Sequence, residues 1–261
     1  MRNCSNCRPP ATDSSSVALL AALAFGVASL LSGMPHAAAA DDPGALWRIV
    51  HEECVPHQAQ FGTPLPCAAV DEQGGYAILK DRRGASQFLL IATARVSGIE
   101  DPAILAPDAP NYWLPAWDAT RLVQALLGRA LPRESMSLAI NSAPRRSQNQ
   151  FHIHVDCVSV EVRDALRAHG ADIGTDWKPF AVPLAGHAYR AMRVQTLGQP
   201  GATPFNLLAR LPEARADMGA ESLVVVGAVF SNGESGYYLL ETRAGPGEEL
   251  QDHGCAVAAP R

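Results

Sequence analysis

The residues best suited to chemistry lie in one stretch, Gln148-Asn149-Gln150-Phe151-His152-Ile153-His154-Val155. Side chains of an extended chain alternate between faces, so Gln150, His152 and His154 share one face, with Phe151, Ile153 and Val155 on the other. One side of such a strand is a row of nitrogen and oxygen groups; its reverse is core. An imidazole, with a reference pKa of about 6.5, is neutral for much of the time near pH 7 and can then act as a nucleophile or base. The same His-x-His pair could instead share a metal ion. Asp156 would then be a third ligand on the correct face, but no His-Glu-x-x-His or comparable partner motif accompanies it. A pair of solvated or core histidines is the plain alternative.

Such a strand needs a sheet to hold it. Residues 76–79 and 88–93 (FLLIAT) read as two strands around an Asp- and Gly-containing turn. Residues 137–141 and 151–158 read as two more, joined by the polar loop SAPRRSQNQ. Helices are expected over 43–53 and over 113–128, the latter with Trp117, Leu122 and Leu126 on its apolar face. The C-terminal part repeats the order. Strands are expected over 177–182 and 189–194, then a helix over 205–218 that Pro212 kinks or splits, then strands over 222–230 and 236–242. Strand, strand, helix, strand, strand thus occurs twice. The class is α+β with an antiparallel sheet, read as two halves in one compact unit: an active half at about 41–160 and a degenerate second half at about 161–261.

The N-terminus points to export. Arg2 and Arg8 precede an 18-residue run without charge, residues 17–34, and Ala38-Ala39-Ala40 follows before two aspartates. That order is a secretory signal with a cleavage site after Ala40. The run is also about 27 Å long as a helix, which matches retention as a single membrane anchor. Residues 41–261 then form the functional domain. Beyond Ala40 remain 19 basic and 25 acidic side chains, an acidic balance that excludes a nucleic-acid binder of the usual basic kind. Four cysteines follow the signal, an even number suited to an oxidising compartment. The pairing expected is Cys54–Cys67, across a short Pro- and Gln-rich loop, with Cys157–Cys255 tying the chain end to the histidine strand. A zinc site of these cysteines is the less favoured reading, since no close pair has knuckle spacing.

The stretch S-Q-N-Q-F-H-I-H-V resembles the active strand of the histidine-triad (HIT) superfamily, which carries alternating histidines after a polar loop with Gln and Ser or Thr. More of the chain resembles one branch, the CDP-diacylglycerol pyrophosphatases: EEC…PC, GYAILKD, SLAINS, QNxFHIH, GHAYRAMRV, LPEAR with Met218, and QDHGC. The resemblance implies a HIT-like antiparallel sheet with packed helices. It implies hydrolysis of the phosphoanhydride of CDP-diacylglycerol to CMP and phosphatidate, through a CMP–histidine intermediate on His152. His154, Ser147 and Asn141 would hold phosphate oxygens, and Asp81 the ribose hydroxyls. Gln150, a further substrate-binding residue by the same resemblance, stands where the first triad histidine is usual; it can exchange hydrogen bonds but carries no charge. No metal or other cofactor is implied. The partners would be the lipid substrate and a bilayer surface, at the periplasmic face of an inner membrane or in the periplasm after signal cleavage. Two alternatives stand beside this: a HIT-type hydrolase or transferase of soluble nucleotide anhydrides, and a non-catalytic periplasmic module that binds nucleotide or metal.

Overall fold

The computed structural model describes residues 42–259. The signal or anchor segment, Cys4 and Cys7 lie outside the described residues. Among the described residues no helix is long and apolar enough to cross a membrane.

Nine strands form one sheet: β1 (Ala69–Asp71), β2 (Tyr76–Lys80), β3 (Phe88–Ala92), β4 (Met136–Ile140), β5 (His152–Cys157), β6 (Lys178–Pro179), β7 (Arg190–Val194), β8 (Ser222–Val229) and β9 (Ser235–Thr242). Their order is β1-β2-β3-β5-β4-β8-β9-β7-β6, with every neighbouring pair antiparallel. This is the expected α+β class. Read inward from either side, β2-β3-β5-β4 is matched by β6-β7-β9-β8, and the two series meet where β4 pairs with β8.

The alternation read from the sequence sets which face is which. Leu89, His154, Ala139, Val224 and Leu240 stand opposite one another across five strands, so they share a face. At one end that face is covered by a helical segment: α1 (Ala45–Arg48), a π-helical stretch (Ile49–Cys54) and α2 (Val55–Phe61). Leu46 and Val50 pack there on Ala77, Leu79, Leu89 and Ile91. At the other end α5 (Val160–His169) covers it, through Val162 and Leu166 on Val224, Val226 and Leu240. The histidines lie between these two covers. The reverse face carries Phe151, Ile153 and Val155 into the largest core cluster, with Trp113, Val123, Phe205 and Leu239. Each such side chain taken out of water contributes about 1.5–3 kcal/mol, so β5 is held firmly from behind.

Several expected elements are corrected. The first helix does not stop at 53. It runs through the stretch expected as a loop, widening at Ile49–Cys54 where Pro56 lacks the N–H that would close on Glu52, and ends at Gly62 in the left-handed conformation (φ 68°). The helix expected over 113–128 is two, α3 (Trp113–Asp118) and α4 (Thr120–Leu126). Their buried stripe is Trp113, Ala116, Thr120 and Val123, and Leu126 is 53% exposed. Pro212 splits the later helix into α6 (Pro204–Leu208) and α7 (Pro212–Ala216). The strand expected over 177–182 shrinks to β6. α5 was not expected at all, although Ser159 caps it by accepting the amide of Val162. Both expected disulfides are present. Cys54–Cys67 closes α2 and its return, and Cys157–Cys255 fastens the chain end to the last residue of β5.

Candidate active site

A cleft of about 290 Å³ opens on the histidine face, between the α1 segment and the ends of β2, β4 and β5. Asp81, Asn141, Ser147, His152 and His154 all line it. Five residues separated by up to 73 positions therefore meet because β2, β3, β5 and β4 are neighbours in the sheet.

His152 begins β5. Its Nδ1 donates to the carbonyl of Gln150 at 2.7 Å, which fixes the tautomer and leaves the lone pair on Nε2. Burial lowers its pKa to about 4, helped by the neighbouring His154 and opposed by the bond to Gln150. The ring is therefore uncharged at neutral pH. The His154 ring lies 4.9 Å away, centroid to centroid. Its Nδ1 accepts from Gln87 Nε2 at 2.6 Å, so the ring proton sits on Nε2, which is buried without a partner among the described residues. An N–H so placed is a donor awaiting an acceptor. Burial also lowers this group to about 4, against the pull of the Asp81 charge.

The supporting groups are aimed by local structure. Asn141 accepts the Glu248 amide at its Oδ1, 3.1 Å, which leaves its NH2 to donate. Ser147 is exposed on a loop fastened at Gln148, which accepts the amide of Leu46 and donates to the carbonyl of Asp42. Asp81 follows β2 and accepts the Arg83 amide at one carboxylate oxygen, 3.0 Å, in a short turn. That turn needs Gly84 (φ 69°), where a Cβ would come within 2.3 Å of the His253 Cβ.

Gln150 is not among the residues lining the cleft. Its amide donates to the carbonyls of Ala92 and Ala94, both at 2.7 Å, clamping the entry of β5 to the exit of β3. Asp156, the third ligand of the metal alternative, is fully buried; its oxygens receive Ser86 Oγ (2.6 Å), the Cys157 amide and His253 Nδ1 (2.8 Å). That bond raises the His253 pKa above its ordinary value, so an ion pair holds the C-terminal turn against β3 and β5. Among the described residues no cluster of three His, Cys, Asp or Glu side chains could hold a metal ion. His187 bonds Glu249, and Arg146 makes a two-pronged pair with Glu100 at 2.6 Å, outside the cleft.

Sequence reasoning missed Gln87 and Glu248. Gln87 sets the His154 tautomer, and Glu248 Oε2 lies 3.3 Å from the same His154 nitrogen. Glu248 reaches the cleft from the C-terminal 3-10 turn (Gly247–Leu250), far along the chain from β5, with no motif to mark it. Gln87 had a signal: it faces the histidines across the β3–β5 ladder, one residue before β3.

Residues 41–259 match the family model described as CDP-diacylglycerol pyrophosphatase. A curated protein of Yersinia pestis named CDP-diacylglycerol pyrophosphatase is 39% identical over 238 residues, covering 87% of this chain and 90% of its own length.

Proposed function

The chain belongs to the CDP-diacylglycerol pyrophosphatase family, and from that premise we propose that it hydrolyses CDP-diacylglycerol to CMP and phosphatidate with His152 as covalent nucleophile. The observation that carries the mechanism is the His152 ring itself, uncharged by burial and held at Nδ1 by the Gln150 carbonyl, with no hydrogen-bond partner at Nε2 among the described residues.

In the first step Nε2 attacks the phosphorus attached to cytidine, and the P–O bond to phosphatidate breaks. The ring becomes a CMP-bearing imidazolium whose Nδ1–H keeps donating to the Gln150 carbonyl. His154 Nε2–H, the Asn141 NH2 and the Ser147 hydroxyl supply donors for the phosphate oxygens as charge develops. In the second step water attacks the same phosphorus, and the P–N electron pair returns to His152 Nε2. The proton released by water passes to a base of the cleft; Glu248, beside His154, is the group we assign. Asp81, with one carboxylate oxygen outside its turn, holds the ribose.

The matched strand orders support a duplicated HIT-like unit with the active half at about 41–160 and the second at about 161–261. Two disulfides support an oxidising compartment, and the reading places the enzyme at the periplasmic face of an inner membrane. Incubation of purified protein with CDP-diacylglycerol in the presence of chelator tests the reaction. CMP and phosphatidate should appear in equal amounts; preference for a water-soluble nucleotide anhydride, or rescue by zinc after chelation, would turn the assignment aside.

A further inference from the structure

The two most exposed large hydrophobic side chains of the described residues, Phe61 (62%) and Leu65 (67%), stand on one hairpin, closed at its base by Cys54–Cys67. They are held together. The His57 ring lies against Phe61, centroids 5.8 Å apart, and its Nδ1 bonds the carbonyl of Leu65. Gly62 makes the left-handed turn between them. A preformed apolar pair loses little freedom on entering an apolar phase.

The hairpin adjoins the cleft. Pro66, next after Leu65, lines it together with Leu46, Ile49 and Leu79, so an apolar wall runs from the exposed pair toward the histidines. Lys80, Arg82 and Arg83 line the same cleft. Lys80 Nζ donates to the backbone carbonyls of Asp81 and Gly84, and Arg82 is exposed. Asp81 and Glu248 line it too, so three cations face two carboxylates, a local positive balance in a chain of net charge −5. Apolar side chains flanked by Lys and Arg match the layering of an anionic bilayer, with acyl chains beneath negative headgroups.

We propose that the Cys54–Cys67 hairpin docks the enzyme on an anionic phospholipid surface, with Phe61 and Leu65 entering the acyl layer and Lys80 and Arg82 meeting headgroup phosphates. The proposal rests on the reading that the substrate is a lipid, and it names the surface from which that substrate enters the cleft. The test compares the full chain with a Phe61→Ser, Leu65→Ser double variant on two substrates. On CDP-diacylglycerol in phosphatidylglycerol vesicles, kcat/KM should fall about tenfold. On a water-soluble dihexanoyl analogue it should stay within about twofold, which also reports that the variant is folded. Equal loss on both substrates, or no loss on vesicles, overturns the docking role. A wild-type protein that hydrolyses neither substrate removes the functional reading instead, and docking is then scored without catalysis. Phe61→Trp should add an emission, over the wild-type background, that is quenched by brominated acyl chains in phosphatidylglycerol vesicles and much less in phosphatidylcholine vesicles. No added quenching, or equal quenching in both, overturns the proposal.

Discussion

Replacing His152 with alanine should make the protein more resistant to acid. Burial holds this imidazole at about 4 in the folded chain, against about 6.5 in an unfolded one. Between those values the unfolded chain binds a proton that the folded chain refuses, so stability falls as pH drops from 6.5 toward 4. At pH 5 the unfolded state gains about 30-fold in statistical weight from this one group, or about 2 kcal/mol. Alanine removes that term. The deletion also loses some packing at any pH, but this offset cancels when the two proteins are compared at two pH values. Urea unfolding followed by tryptophan fluorescence, extrapolated linearly to water at pH 7.5 and pH 5, supplies the four free energies. The variant should gain about 2 kcal/mol on the wild type between the two conditions. Parallel losses in the two proteins would mean that His152 is not held uncharged by burial, and its role as a free-base nucleophile would fall with it.

Three further outcomes follow from the site. Asp81→Asn should raise KM with a smaller change in kcat, the pattern of lost uniform binding, and a collapse of kcat at constant KM would contradict the ribose assignment. His154→Ala should lower kcat about 100-fold yet leave measurable turnover, since it removes a donor to the phosphate and not the bond-forming atom; complete loss in a folded protein, or a rate near wild type, would refute that division of labour. Gln150→Leu should lower stability by about 1–3 kcal/mol in thermal or urea unfolding, because the carbonyls of Ala92 and Ala94 lose their buried donor; unchanged stability would show that the clamp contributes nothing.

Much of the site was legible because period-two alternation is a local property. His152 and His154 share a face, with Phe151 and Ile153 behind them, whatever the rest of the chain does. The strands were readable for the same reason, from FLLIAT and SLAIN to GYYLLET. The helices were harder. Leu122 and Leu126 look like a core stripe, but the buried face is the one through Trp113, Ala116, Thr120 and Val123, which keeps helical spacing across the break at Ala119 and leaves Leu126 exposed. Val160 and Val162 directly follow a strand, and their β-branching hid a helix that Ser159 begins. Pro56 reads as a loop residue in isolation, yet the helical path passes through it by widening at Ile49–Cys54, where its missing N–H is accommodated. Long-range partners left no local trace. Glu248 meets His154 only after the chain has passed through the second half of the sheet, and Gln150 looked like a cleft residue because alternation gives its face but not its hydrogen bonds.

The central claim is that His152 forms a covalent bond to the cytidine-side phosphate. CDP-diacylglycerol labelled at that phosphate, mixed briefly with enzyme and quenched in alkali, tests it directly, because phosphoramidates survive base and break in acid. Peptide mapping should find the label on His152, lost on acid treatment and absent from the His152→Ala protein; label on any other residue, or a His152→Ala enzyme turning over near the wild-type rate, would contradict the mechanism.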